Sequence, residues 1–215
     1  MRTLDTIAIA TGTDKSSKSH AYCQYYDMIL DPLRFKQNNL LEIGIDKGDS
    51  LRMWKEYMPH SRVHGIDIRG GYGYLEELGG IYTHIVDQSN KGELIVFASQ
   101  FEEGYFNVIV DDGSHESKDM ILTFETLFPY LASGGYYIIE DLLCNYDERW
   151  RAIGEFGIID RIKNMVDEVN MDGAIPNSHI CANKKEAVKK YEADYFSKNI
   201  EWTFNACGTT IIKKI

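Results

Sequence analysis

Residues 40–48 read Leu40-Leu41-Glu42-Ile43-Gly44-Ile45-Asp46-Lys47-Gly48, an apolar run that meets two glycines and passes at once into the helical pattern Asp49-Ser50-Leu51-Arg52-Met53-Trp54. Strand, tight turn and helix in that order make a cofactor loop: glycine lets the backbone approach a ligand closely, and the helix turns its unpaired amides toward the same place. In the dinucleotide fingerprint Gly-x-Gly-x-x-Gly, the second and third glycine positions would here be Asp46 and Asp49. Two acids suit a pyrophosphate poorly, whereas they suit a ligand with a sulfonium and an amino group. Glu42, Gly44 and Gly48 are therefore read as cofactor contacts, against the alternative of an ordinary glycine turn.

Outward from this loop the chain repeatedly sets a short apolar run against a helical pattern, which is the signature of parallel strands joined by crossover helices. Strands are expected at 40–45, 62–67, 81–86, 106–111 and 134–140, and helices at 48–58, 91–100, 115–131 and 148–169. Two further strand-like runs, 199–206 and 209–214, are joined at Cys207-Gly208 as a hairpin, which reverses one strand against an otherwise parallel sheet. The expected fold class is α/β and Rossmann-like, a mostly parallel seven-stranded sheet over 38–215. Residues 1–37 form a helical preface or lid, irregular up to Thr13 and helix-like through Tyr22, Tyr26 and Ile29 to the break at Asp31-Pro32. Residues 169–183 break helical periodicity and read either as a second lid or as a connection.

Composition narrows the partners. With 215 residues, 44% of them hydrophobic, the chain can bury one substantial core. A net charge of −10 repels a phosphate backbone and argues against nucleic acid. No apolar run reaches membrane length and the first ten residues lack a signal peptide's apolar core, so a cytoplasmic protein without membrane contact is expected. The four cysteines are scattered and read as free thiols. Lysines 184–190 read as a solvated helix face. A small, neutral acceptor is the expected partner.

The chemistry gathers at the strand tips. Asp67 closes Val63-His64-Gly65-Ile66-Asp67, where a carboxylate can accept both hydroxyl hydrogens of a ribose. Asp87-Gln88 ends the third strand, placed either to meet an adenine or simply to begin a loop. Asp111-Asp112, followed by His115, and Glu140-Asp141 end two more strands, whose carboxyl ends share one crevice in such a sheet.

Glu42 to Gly48, Asp67, Asp87-Gln88 and Val110-Asp111-Asp112-Gly113-Ser114-His115 together resemble the class I methyltransferases, in particular the metal-dependent sugar O-methyltransferases that modify macrolide and related antibiotics. The likeness runs from Gly12 onward and includes Gly12-Thr13-Asp14-Lys15 with His20 and Tyr22. It implies S-adenosylmethionine as cofactor, bound by Glu42, Gly44, Gly48, Asp67, Asp87, Gln88 and Asp111. Two carboxylates about 4 Å apart at an effective dielectric near 20 repel by roughly 4 kcal/mol, so a tight cluster of acids needs a cation. Hard oxygen donors without a nearby cysteine favour Mg2+ or Mn2+ over zinc. By resemblance Asp112, Glu140 and Asp141 are the ligands, and His115, with Asp112, is catalytic, taking the proton of an acceptor hydroxyl. His60, His64, His84 and His179 have no partner at ligand spacing and read as structural or surface groups. A homo-oligomer with the preface as a contact is also implied. Three other readings stay open at this level: a catechol or phenol as acceptor, a nicotinamide-dependent oxidoreductase, and a non-catalytic small-molecule-binding module used as a subunit or regulator.

Overall fold

The computed structural model describes residues 2–151, 154–172 and 195–215. Its seven described strands form one sheet in the order β3-β2-β1-β4-β5-β7-β6. They are β1 (Asn39–Ile43), β2 (Arg62–Asp67), β3 (Ile81–Ile85), β4 (Phe106–Asp111), β5 (Leu131–Ile139), β6 (Ile200–Ala206) and β7 (Thr209–Lys214). β1 to β5 pair in parallel, and β7 lies antiparallel between β5 and β6. This single reversed strand, expected from the hairpin at Cys207-Gly208, sets the sheet apart from the all-parallel dinucleotide fold.

Alternation along the strands explains why both faces are covered. Leu40, Val63, Val108, Val110, Ile138 and Ile211 point to one layer, and Leu41, Ile43, Ile66, Ile109, Ile139 and Ile212 to the other. The first layer is closed by α1 (Leu4–Thr11), α2 (Cys23–Leu30) and α3 (Asp49–Tyr57), the second by α5 (Lys91–Ala98), α6 (Ser117–Leu127) and α7 (Ile158–Asp172). In α3, Leu51, Met53, Trp54 and Tyr57 are fully buried, at the spacing that puts them on one stripe. Two short helices, α4 (Gly73–Glu76) and α8 (Tyr195–Asn199), complete the described α-helices, and three 3-10 turns lie at Asp31–Leu33, Phe128–Tyr130 and Leu142–Tyr146. Among the described residues no helix is long and apolar enough to cross a membrane.

Three local expectations are corrected. The irregular stretch before Thr13 is a helix, α1: Thr3 caps it by accepting from the Thr6 amide, and Leu4, Ile7 and Ala8 are buried beneath it. The helix expected over 148–169 starts ten residues later, at Ile158, because Gly154 takes a left-handed φ of 81° and Gly157 is pressed against Ser117 and Arg151. His64 and His84 are not partnerless: their rings stack 5.7 Å apart on β2 and β3, with Nδ1 of His64 3.4 Å from Nε2 of His84. Cys23, Cys144 and Cys207 are free thiols. Cys181, His179, lysines 184–190 and most of the 169–183 segment lie outside the described residues.

Candidate active site

The sheet order reverses between β1 and β4, so the loops after these two strands diverge and open a crevice at their carboxyl ends. Gly44 sits at that point with φ 89°, and a Cβ there would lie 2.1 Å from the carbonyl oxygen of Asp112. Only glycine lets the two loops come this close. Asp67, at the tip of β2, holds the loop from the other side. Its Oδ2 accepts from the amides of Ile45 (2.9 Å) and Asp46 (3.3 Å), and its Oδ1 from the Arg69 amide (2.8 Å) and Nε (3.2 Å). Burial alone would raise this carboxyl, but the Arg69, Ile45 and Asp46 donors hold it below the usual carboxylate range.

The crevice is a cavity of about 740 Å³, the size of a cofactor site. Of the residues singled out in the sequence, Gly44, Asp67, Asp87, Gln88, Asp112, His115 and Asp141 line it, together with Gly12 to Lys15 of the preface. Glu42, Gly48, Asp111 and Glu140 stand behind its wall. Gly48 begins α3 with φ 75° and packs against Leu75. Glu42 is fully buried, and its Oε2 accepts from Ser50 Oγ (2.8 Å) and Trp54 Nε1 (3.1 Å). Asp111 is likewise buried, accepting from Gln88 Nε2 at 2.8 Å, and burial pushes its carboxyl up to about 8. Gln88 in turn accepts from the Ser114 amide (2.8 Å), so it ties the β3 and β4 loops together across Gly113.

Sequence reasoning did not foresee the part played by Lys15. Its side chain is fully buried, with Nζ donating to Asp112 Oδ2 and to Glu140 Oε2 (2.8 Å), and with Glu42 Oε1 at 3.4 Å. An isolated ammonium would lose its proton on burial, but Asp112, Glu140 and Glu42 overcome that and hold it well above its ordinary value. One ammonium cannot balance three acids. Burial still raises Glu140, and lifts Glu42 to about 7, despite Lys15 beside them. Glu140 Oε1 is buried without a hydrogen-bond partner.

On the open side of this cluster, Asp112, His115 and Asp141 offer ligand atoms within 4.8 Å of one another. His115 Nε2 lies 3.6 Å from Asp141 Oδ2. The other Asp141 oxygen accepts from Tyr22 OH (2.8 Å) and faces His20 Nδ1 at 3.4 Å. The preface residues Lys15, His20 and Tyr22 therefore all reach acids at the tips of β4 and β5. His115, Asp141 and Asp46 have φ of 59°, 52° and 44°, a left-handed backbone that costs a non-glycine residue about 1–2 kcal/mol and that recurs where geometry is imposed by function. Two carboxylates and an imidazole at this spacing fit a divalent cation.

Residues 41–142 match a family model described as a methyltransferase domain. L-olivosyl-oleandolide 3-O-methyltransferase of Streptomyces antibioticus is 30% identical over 84% of this chain and 50% of the relative. The 8-demethyl-8-alpha-L-rhamnosyl tetracenomycin-C 2'-O-methyltransferase of Streptomyces olivaceus is 35% identical over 65% of this chain and 38% of the relative. Among solved structures, the MycE methyltransferase of the mycinamycin pathway, in complex with Mg, SAH and mycinamycin VI, superposes with a TM-score of 0.83 and 25% identity over 99% of this chain and 53% of that one. The chain thus spans about half the length of the relatives it matches, or less.

Proposed function

We propose that this chain, whose residues 41–142 match a methyltransferase-domain model and which is similar to sugar O-methyltransferases of antibiotic biosynthesis, methylates a hydroxyl of a small glycosylated acceptor with S-adenosylmethionine as donor and Mg2+ or Mn2+ as helper ion. One observation carries the reading: the Gly44 loop and the Asp112, His115, Asp141 cluster open into the same cavity. When bound, the cofactor would supply an electrophilic methyl group, and the cation would lower the pKa of the acceptor hydroxyl.

The rest falls to the chain's own side chains. Asp67 fixes the loop that would receive the cofactor and is the carboxylate that would meet its ribose, while Asp87 and Gln88, which also line the cavity, would meet its adenine. Asp112 and Asp141 would hold the ion on the open side, with Glu140 behind them. His115 takes the hydroxyl proton, and Asp141 at its Nε2 stabilises the imidazolium that results. Positioning supplies much of the acceleration, since a hydroxyl held in line with the methyl no longer pays for the encounter.

The test is methyl transfer from labelled S-adenosylmethionine to a panel of sugar diols and catechols, with and without exhaustive chelation, beside calorimetric titrations of S-adenosylhomocysteine and NAD. The expected outcome is S-adenosylhomocysteine binding without NAD binding, and chelation-sensitive transfer to a sugar. Preference for a catechol would move the acceptor class, and an unchanged rate after chelation would remove the metal.

A further inference from the structure

One buried acid has no part in the proton and metal chemistry. Asp111 ends β4 in the middle of the sheet, in register with Ile43 of β1 and Ile139 of β5, and is wholly buried. It stands behind the cavity wall, whereas Gln88 lines the cavity. The two are joined: Gln88 Nε2 donates to Asp111 Oδ1 at 2.8 Å, while Gln88 Oε1 accepts from the Ser114 amide at 2.8 Å. These neighbours fix which way the side-chain amide points. A backbone N–H can only donate, so the Gln88 atom facing Ser114 is the carbonyl oxygen, and the atom facing the Asp111 acceptor is the nitrogen. Turning the amide over would set its N–H against the Ser114 N–H and its oxygen against the Asp111 oxygen. Gly113 makes the slot possible, because a Cβ there would lie 2.1 Å from Gln88 Oε1. Each partner uses one amide proton or one lone pair, which leaves one of each for a ligand.

We propose that Asp111 is a positioning residue that, with Ser114, holds the Gln88 amide in one orientation and so makes the site selective for adenine over hypoxanthine in the cofactor. The proposal rests on the S-adenosylmethionine reading above and deepens it. Adenine offers an acceptor at its N1 and a donor in its amino group. Hypoxanthine reverses both, with a donor at N1 and a carbonyl acceptor beside it. A free glutamine amide reads either base by turning over, since its oxygen and nitrogen ends are nearly the same size. A fixed amide matches one base, and the other is left with unpaired groups facing it. Anchoring the amide on a central strand sets its orientation before the cofactor arrives. The same contact also ties the β3 and β4 loops together, and the two roles predict different results. If Asp111 only ties the loops, its loss weakens binding of both bases alike. If it sets the amide, its loss changes the ratio between them.

The experiment is calorimetric titration of S-adenosylhomocysteine and of S-inosylhomocysteine into wild type, Asp111→Ala, Asp111→Leu and Gln88→Met. Leucine fills the volume that alanine leaves empty, so the two apolar variants fail to fold for different reasons. Wild type should prefer S-adenosylhomocysteine by at least about 30-fold. Whichever apolar variant folds should lose at least about tenfold of that preference, and Gln88→Met should lose it altogether. Exchange of the Gln88 side-chain amide protons, assigned by their absence in Gln88→Met, is followed by heteronuclear NMR in cofactor-free wild type, where at least one should be protected from solvent. An unchanged preference in a folded apolar variant, or a folded apolar variant that binds neither ligand, overturns the proposal alone. So does an unprotected Gln88 amide, which decides the matter where neither apolar variant folds. Wild type that binds both ligands equally, or a wild-type preference in Gln88→Met, also overturns it and leaves the methyl-donor reading standing. Wild type that binds neither ligand overturns that reading and this inference with it.

Discussion

His115 carries two constraints, a left-handed backbone and an imidazole pointed at Asp141. If it is the base, His115→Ala should lower turnover by roughly 10²–10⁴-fold while calorimetry finds S-adenosylhomocysteine affinity unchanged. Turnover at the wild-type rate would remove His115 from the chemistry. Gly44 makes the converse prediction. An alanine there must hold φ near 89° and place its Cβ against the Asp112 carbonyl, so Gly44→Ala should cost at least about 2 kcal/mol in denaturant unfolding and abolish S-adenosylhomocysteine binding. These two residues were legible because their types are restrictive: few side chains serve as a base, and few positions demand glycine. Lys15 was not. A lysine beside Thr13 and Asp14 has no local mark of burial, and its partners lie 97 and 125 residues away, so only the assembled sheet reveals it. The sequence argument that the acids require a cation was sound as electrostatics, but it could not say that part of the requirement is met from within the chain.

At the scale of elements, alternating strands and amphipathic helices made the parallel core readable, and the hairpin at Cys207-Gly208 fell where its turn residues put it. What escaped was short or borrowed. α1 has eight residues, too few to be stable alone, and it exists because Leu4, Ile7 and Ala8 pack into the layer that includes α3. Tyr22 shows how the preface is tied to the core. At the start of α2, it donates to Asp141 at the tip of β5 and lies 3.3 Å from the Gly208 carbonyl in the β6–β7 turn. Tyr22→Phe should therefore cost about 1–3 kcal/mol in chemical denaturation, the range for losing a hydrogen bond to a charged acceptor. It should also raise the acceptor KM more than it raises the S-adenosylhomocysteine Kd, because Asp141 and not the Gly44 loop loses its partner. Equal effects on both ligands would show that Tyr22 supports the whole cavity.

For the whole molecule, the buried His64 and His84 pair gives a pH dependence whose sign is fixed. Burial, with His84 and Arg62 nearby, lowers His64 to about 4, against an ordinary value of 6.5. In that window the unfolded chain binds a proton that the fold refuses, so stability is complete above the ordinary histidine value and falls as pH drops toward 4. His64→Phe, which keeps a ring against Tyr82, Phe101 and Phe106, should lessen the loss of unfolding free energy between about pH 7 and 5.5 by roughly 1 kcal/mol. Parallel pH profiles for the two proteins would contradict it. The reversed strand has a consequence in time as well as in space. β6 leaves the ribosome before β7, yet among the described strands it reaches the sheet only through β7, which must first slide in beside β5. This edge of the sheet therefore closes last and from the inside outward, so a nascent chain stalled before Thr209 would expose the edge of β5 and leave β6 with nothing to join.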